Sequence, residues 1–345
     1  MIEYNQHGGN MKKAFVTGGA GFIGSHLVKS LVDNGWHVTV VDDLSGGKIE
    51  NLAEKVKFRA VPPVMVEQLL STVTLENDQV LVITGDMVDP AVVYHLQNHG
   101  YTHVFHLAAN PRVEFSVQYP ATSTATNVQK TVELMSACKG IGLKRFVFAS
   151  SSAVYGEAKT LPTPEEEPKN PSSPYGLHKL VGEQFMKLFS DLYGMDFVAL
   201  RFGNVYGPNS DGSSPYSTAI GAWCNKLKSS ESLRSDGDGE QSRDMIYVGD
   251  VAEGLRLCAE REQNFGFSAM NLGTCTSVTN NQILQKLHEL VGDFDIQHAP
   301  VRPGDVRHTL LDIVKVANET GWKSNITLEE GLRRTLEWWG IPLRK

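Results

Sequence analysis

Residues 13–43 read KAFVTGGAGFIGSHLVKSLVDNGWHVTVVDD. The run Lys13–Thr17 is short and mostly apolar, which predicts a strand. It feeds directly into a GxxGxxG turn made by Gly18, Gly21 and Gly24. Phe22, Ile23, Leu27, Leu31 and Val32 then recur at helical spacing, so a helix is expected over Phe22–Asn34. His37–Val41 reads as a second strand. In such a unit one glycine permits the tight turn, a second lets a diphosphate approach the backbone, and a third lets helix and strand pack closely. The free N–H groups at the helix start, with the helix dipole, suit that anion. Asp42 ends the second strand, 18 residues past Gly24. A carboxylate there accepts hydrogen bonds from ribose hydroxyls and repels a 2′-phosphate, which favours NAD over NADP. Asp43 reads as a solvated loop acid.

The same alternation continues outward. Val80–Thr84, Thr102–His106, Arg145–Ala149 and Phe197–Arg201 read as further strands. Helical patterns lie between them near Pro90–Gln97, along the stripe Ala121, Ala125, Val128, Val132 and Met135, and over Tyr175–Tyr193. Strands alternating with helices imply right-handed crossovers, hence an α/β fold with a doubly wound parallel sheet. Beyond Gly203 the pattern changes. Gly, Ser, Pro and Asp crowd residues 207–217 and 235–242, and helical stretches return at 249–260, 279–291, 311–320 and 328–339. The expected organisation is a tail over 1–11, with Met11 as the start of the fold, and a dinucleotide-binding domain over 12–202. A smaller C-terminal α/β lobe is expected over 203–345, from which part of 244–273 returns to the first domain. The stretch 59–79, broken by Pro62-Pro63, reads as an irregular insertion.

Composition bounds the partners. Of 345 residues, 41% are hydrophobic and 21% charged, as in ordinary globular chains rather than disordered ones. Thirty-two basic against 39 acidic residues give a net charge of −7, which argues against general nucleic-acid binding. No run approaches the roughly 18 apolar residues of a membrane span, and the first residues do not read as a secretory signal. Cys138, Cys224, Cys258 and Cys275 are scattered without a CxxC pair. Neither a metal site nor a disulfide framework is expected, and reduced thiols point to the cytoplasm.

Chemistry enters with Tyr175-Gly176-Leu177-His178-Lys179. Positions i and i+4 share a helix face, so Tyr175 and Lys179 point the same way. A nearby ammonium favours the phenolate and is expected to lower the tyrosine pKa, making a general acid/base. Ser150-Ser151-Ser152 follows a strand at the carboxyl edge, where open parallel sheets bind ligands.

Taken together, TGGAGFIG, Asp42, HLAA at His106–Ala109, SSSAVYG at Ser150–Gly156, PYGLHK, and RFGNVYGP at Arg201–Pro208 stand in an order that resembles the extended short-chain dehydrogenase/reductase family. The branch it looks most like is the nucleotide-sugar 4-epimerases. The resemblance implies a Rossmann NAD domain and a nucleotide-sugar lobe. It implies Tyr175 as base, Lys179 holding the nicotinamide ribose, and Ser151, four residues before Tyr155, as the hydroxyl partner. Asp86 and Met87 would flank adenine, Leu107, Ala108 and Ala109 would line the cofactor, and Asn127 would sit behind the nicotinamide.

For the substrate, the resemblance places Asn204, Arg243 and Arg302 on a diphosphate, where guanidinium donors fit best. Asp305 would accept from the nucleotide ribose. Thr309 stands at the position that sets pocket size; a small residue there leaves room for a 2-acetamido group. Arg112 in AANPRVEF reads first as a solvated loop arginine, with a sugar carboxylate as the alternative partner. The implied reaction is NAD-dependent 4-epimerisation of a UDP-linked hexose through a 4-keto sugar. Ser152-Ala153 offer no acid pair for dehydration. A uronate 4-epimerase or decarboxylase, another NAD(P)-dependent nucleotide-sugar oxidoreductase, and a non-catalytic NAD-sensing scaffold stay open. Tyr175–Tyr193 carries more apolar residues than one buried stripe needs, which fits a homodimer or, alternatively, burial under residues 59–79.

Overall fold

A computed structural model describes residues 12–76, 78–213, 218–300 and 306–344. The glycine unit folds as read: β1 (Lys13–Thr17), α1 (Phe22–Asp33), β2 (His37–Asp42). Successive β1 residues bury opposite faces. Ala14 and Val16 enter one core and Phe15 the other, as a two-residue period requires when both faces are covered.

The insertion is not irregular. After α2 (Glu50–Ala53) comes β3 (Lys57–Val61), then α3 (Val66–Thr72) and β4 (Gln79–Thr84). Pro62-Pro63 does not abolish structure there. It separates strand from helix, with Pro63 opening a 3₁₀ turn that leads into α3. β3 pairs parallel with β4 and forms the outer edge of the sheet.

The first half continues through α4 (Pro90–Asn98), β5 (His103–His106), α5 (Val113–Gln118), α6 (Pro120–Thr124) and α7 (Lys130–Ala137). The stripe expected as one helix is broken, because residues Ala125–Gln129 between α6 and α7 form a π-turn. Next come β6 (Arg145–Ser151), α8 (Pro174–Tyr193), β7 (Phe197–Phe202) and β8 (Asn204–Tyr206). Ser173 caps α8 by accepting from Gly176 N–H, Pro174 takes the first helical position, and Gly194 ends the helix at φ +67°.

The remainder comprises α9 (Ala219–Lys228), β9 (Leu233–Asp236), β10 (Ser242–Tyr247), α10 (Val248–Glu260), β11 (Phe267–Leu272), β12 (Ser277–Thr279), α11 (Asn280–Val291), β13 (Ile296–Ala299), α12 (Val314–Thr320) and α13 (Leu328–Trp339). The large sheet has eight strands in the order β11-β7-β6-β5-β1-β2-β4-β3, every pair parallel. It is a doubly wound α/β sheet. One face is covered by α1 and α10 through Leu27, Leu31, Val251 and Leu255. The other is covered by α4, α7 and α8 through Leu96, Met135 and Met186. A third core, built by α9, α11 and α13, meets the sheet domain at Phe22 and Ile23. From β1 the chain winds outward through β2 to the β3 edge, then returns to β5 on the other side. The reversal opens a crevice at the carboxyl ends of β1 and β5, where such sheets bind ligands.

Candidate active site

The glycine turn lies at that crevice. Gly18 has φ +72°, and a Cβ there would come within 2.6 Å of Ala108 N. A Cβ on Gly24 would lie 2.1 Å from Gly18 O, and one on Gly21 3.1 Å from the same atom. The three glycines therefore press the start of α1 against the turn and against the strand end that carries Leu107, Ala108 and Ala109. Leu107 N–H donates to Thr17 O at 3.1 Å, fixing that segment beside β1. α1 starts at Gly21 without a side-chain cap and without an acid in its first turn. Its leading N–H groups suit an anionic group. The side chains of Phe22 and Ile23 pack toward the C-terminal lobe, which leaves only their backbone N–H groups for such a ligand.

Asp42 is 7% exposed and accepts from Ala20 N–H and Leu44 N–H, both at 2.9 Å. Burial raises its pKa, and the two backbone donors hold it back. Each carboxylate oxygen retains a lone pair for a ribose hydroxyl. Asp86 follows β4 and pairs with Lys130 at 2.5 Å, while Met87 is buried in the core against α4 and α7. Asn127 sits inside the π-turn, 3% exposed. Its side chain clamps the backbone of Asn110, accepting from N–H at 2.7 Å and donating to the carbonyl at 2.9 Å. A π-turn re-aims one residue within a helix and is frequent at functional sites.

α8 brings Tyr175 and Lys179 to the end of β6. Lys179 Nζ donates to Ala149 O at 2.6 Å and lies 5.8 Å from the centre of the Tyr175 ring. Tyr175 N–H donates to Ser116 Oγ at 3.1 Å, and a Cβ at Gly176 would lie 2.5 Å from Ala153 O, so the helix start is seated tightly on the Ser150–Ala153 segment. The Ser151 hydroxyl hydrogen-bonds the Tyr175 phenol. The expected depression of the Tyr175 pKa is not what the chain alone produces. Burial pushes the phenol up to about 12, against the opposing Ser151 bond. Burial also pushes Lys179 down to about 7, against the opposing Glu183 carboxylate. Desolvation of two ionisable groups outweighs their mutual help.

Beneath this pair lies a buried polar network that motif spacing did not single out. Ser150 Oγ donates to Glu183 Oε1 at 2.6 Å, and Arg201 bonds both Glu183 oxygens at 3.0 and 2.6 Å. Arg201 also donates to Tyr155 Oη at 2.8 Å, and Tyr155 Oη donates to Asn271 Oδ1 at 2.6 Å. The usable signal was an acid at 183, one turn past Lys179 on the same buried helix face. A charge there needs a partner.

On the lobe side, Asn204 pairs with Met245, two residues past Arg243, so both candidates stand at one end of a small sheet. Arg243 Nη1 donates to Ser242 O and Arg307 O at 3.0 and 3.1 Å. Thr309 N–H donates to Ser242 O at 3.0 Å, and Thr163 N–H donates to Leu310 O at 2.7 Å. Thr309 thus bridges the Arg243 strand and the loop that follows the Ser150–Ser152 segment. Among the described residues its Oγ1 is buried and has no hydrogen-bond partner. Arg302 and Asp305 lie outside the described residues. Arg112 meets Asp211 at 3.4 Å.

A glycine cradle at a sheet switch point, an acid ending the second strand, and a Tyr/Lys pair with a serine hydroxyl define a dinucleotide-binding scaffold with acid/base equipment. Residues 14–273 match the NAD dependent epimerase/dehydratase family, and the chain belongs to it. A putative UDP-glucose 4-epimerase of Methanocaldococcus jannaschii is 34% identical over 325 residues, 94% of this chain and 97% of that protein. The solved UDP-N-acetylglucosamine 4-epimerase of Methanobrevibacter ruminantium, in complex with UDP-N-acetylmuramic acid, superposes with a TM-score of 0.84 at 37% identity, covering 95% of this chain and 98% of that one. The UDP-glucose 4-epimerase of Thermotoga maritima, with UDP-glucose, gives 0.83 at 34% identity, covering 95% and 98%.

Proposed function

We propose that the chain interconverts nucleotide sugars that differ in configuration at C4, with NAD held as a recycled cofactor. The observation that carries this reading is the Tyr175–Ser151–Lys179 arrangement at the carboxyl edge of the sheet, beside the glycine cradle. The cradle at Gly18, Gly21 and Gly24, with the N–H groups of Phe22 and Ile23, holds the cofactor diphosphate. Asp42 takes the adenosine ribose, Asp86 and Met87 flank the adenine, and Leu107, Ala108, Ala109 and Asn127 line the nicotinamide end. NAD held there would supply the reversible hydride chemistry at sugar C4 that interconverts the two epimers. Tyr175 Oη takes the proton of the 4-hydroxyl and gives it back. Ser151 hydrogen-bonds that hydroxyl and keeps the phenol aligned. Lys179 supplies the ammonium that favours the phenolate and holds the nicotinamide ribose.

Asn204, Arg243 and Arg302 hold the substrate diphosphate, and Asp305 the nucleotide ribose. Thr309 leaves room for a 2-acetamido group, so UDP-GlcNAc and UDP-GalNAc are the preferred pair, with UDP-glucose and UDP-galactose as further substrates. The Arg112–Asp211 contact leaves a sugar carboxylate without a dedicated cation there, which favours neutral hexoses over uronates.

The outer face of α8 exposes Leu177, Leu188 and Leu192, beside Val113 and Val117 of α5. An apolar helical face of this kind is covered by a second copy in the proposed homodimer. Light scattering of the parent chain gives a dimer, and Leu188→Glu with Leu192→Glu gives a monomer. A monomeric parent at micromolar concentration removes the dimer. All four cysteines are unpaired and three are buried, which supports a reducing, cytoplasmic setting.

The functional test is incubation with UDP-GlcNAc, UDP-glucose and UDP-glucuronate, followed by separation of epimers. Tyr175→Phe loses about 10²- to 10⁴-fold in kcat, with its circular dichroism spectrum unchanged. Full turnover by Tyr175→Phe defeats the assignment of the base. Bound NAD without an epimer from any of the three sugars defeats the epimerase reading.

A further inference from the structure

The insertion carries α3 against the end of α4. There Glu67 of α3 faces His95, in the last turn of α4, and His99 at its C-cap. His95 Nδ1 lies 3.0 Å from Glu67 Oε1, and His99 Nε2 lies 3.5 Å from Glu67 Oε2. One ligand atom from each residue falls within 4.8 Å of the other two. Both histidines line a small cavity together with Lys13, His37 and Gln79, the first residues of β1, β2 and β4. The cluster therefore stands at the amino edge of the sheet, and the glycine cradle and Tyr175 at the carboxyl edge.

The surrounding hydrogen bonds show which ring atoms face Glu67. His99 Nδ1 bonds the His95 carbonyl at 3.1 Å. A carbonyl only accepts, so Nδ1 carries a proton there and Nε2 is the atom turned to Glu67. Tyr101 Oη donates to Thr39 Oγ1 at 2.7 Å and so accepts from His95 Nε2, also at 2.7 Å. Nδ1 of the second ring is then the atom turned toward Glu67. Two imidazole nitrogens and a carboxylate therefore converge on one point, each a donor type that divalent metals accept. The Tyr101–Thr39 pair behind His95 is the outer hydrogen bonding that orients a metal-binding imidazole.

We propose that Glu67, His95 and His99 bind a divalent transition-metal ion of the zinc type, cross-linking the inserted helix to the sheet domain. The donors are His95 Nδ1, His99 Nε2 and a Glu67 oxygen, with the fourth position open to water from the cavity. Zinc holds imidazole nitrogen and carboxylate oxygen at about 2.0–2.2 Å, which sets tetrahedral ligand atoms about 3.3–3.5 Å apart. The 3.0 and 3.5 Å distances, one to each Glu67 oxygen, lie near that spacing, and one ligand atom of each residue falls within 4.8 Å of the others. The ammonium of Lys13, which donates to His99 O at 3.3 Å, opposes the ion, so binding rests on the Glu67 charge.

The test uses the full chain after treatment with a chelator. Titration with Zn²⁺, followed calorimetrically and by metal content, gives one ion per chain and a higher unfolding temperature. Co²⁺ in its place gives the visible absorption of a tetrahedral site. Glu67 and His99 are partly exposed, so Glu67→Gln and His99→Ala keep the fold by circular dichroism. Each binds Zn²⁺ at least about tenfold more weakly and loses the thermal shift. Absence of stoichiometric binding by the parent overturns the proposal and leaves Glu67–His95 a plain hydrogen bond. Equal binding by both variants also overturns it, because the ion then sits elsewhere.

Discussion

Lys179 has two separable effects. It is 4% exposed, and burial brings its pKa from 10.5 down to about 7, Glu183 opposing. The unfolded chain therefore holds more protons between about pH 7 and 10.5, and the Lys179 share of stability rises with pH across that window. Lys179→Met abolishes this share of the rise, which denaturant melts at pH 7 and pH 9.5 measure. It also removes the cation nearest the Tyr175 ring. The rising limb of the pH–rate profile moves to higher pH, and kcat falls about 10²-fold or more. An unmoved limb would mean that Lys179 does not tune the phenol. Tyr175, Lys179 and Ser151 were legible because each falls in a short motif whose spacing encodes a shared face. The network of Glu183, Arg201, Tyr155 and Asn271 was not, because its contacts join residues from 18 to 116 positions apart. What propensity and spacing miss is the partner that a buried charge demands.

The seven-residue glycine turn and the connection from α1 to β2 at Gly35 tolerate side chains very differently. At Gly24 an added Cβ meets the Gly18 carbonyl at 2.1 Å, and neither backbone can yield without opening the turn. Gly24→Ala costs about 2–3 kcal/mol and weakens NAD binding. Gly35, at φ +76°, has nothing within 4 Å of its added Cβ, so Gly35→Ala costs only about 1 kcal/mol of conformational strain. Chemical melts with and without NAD separate the two effects. Equal losses at both positions would show that the turn is not tightly packed. The βαβ unit was readable because apolar period and turn chemistry agree in it. β3 was not, since as an edge strand it leaves Lys57, Arg59 and Ala60 exposed and gives no apolar run. The π-turn at 125–129 was hidden too. Its helical period looks intact in sequence, and only packing reveals the extra residue.

Across the whole molecule, the return of the chain to the sheet through α10 and β11 ties the C-terminal half to the first. Arg145 records that closure, with a 2.5 Å pair to Asp196 and bonds to the carbonyls of Cys258, Arg261 and Gln263. Four histidines that the fold holds well below the usual imidazole range are spread over the same framework. His26 meets Pro208 O of the far segment at 3.0 Å, His95 sits on α4, His103 opens β5, and His106 bridges Thr17 and Thr131 at 2.7 and 2.8 Å. Burial brings the first three from 6.5 to about 4, and His106 to about 3. In each case the folded chain keeps the ring neutral while the unfolded chain charges it. Stability is then complete above about pH 6.5 and is lost as pH falls toward 4. The buried carboxylates Asp42, Glu165 and Asp244 are raised by burial. They protonate in the folded chain before the unfolded one, which offsets part of that loss. Unfolding of the metal-free chain at pH 5 therefore takes up protons at these rings, measurable from the pH slope of its urea-unfolding free energy. A flat slope between pH 6.5 and 5 would show that these rings are solvated and that the framework around β1 and β5 is looser than their burial implies.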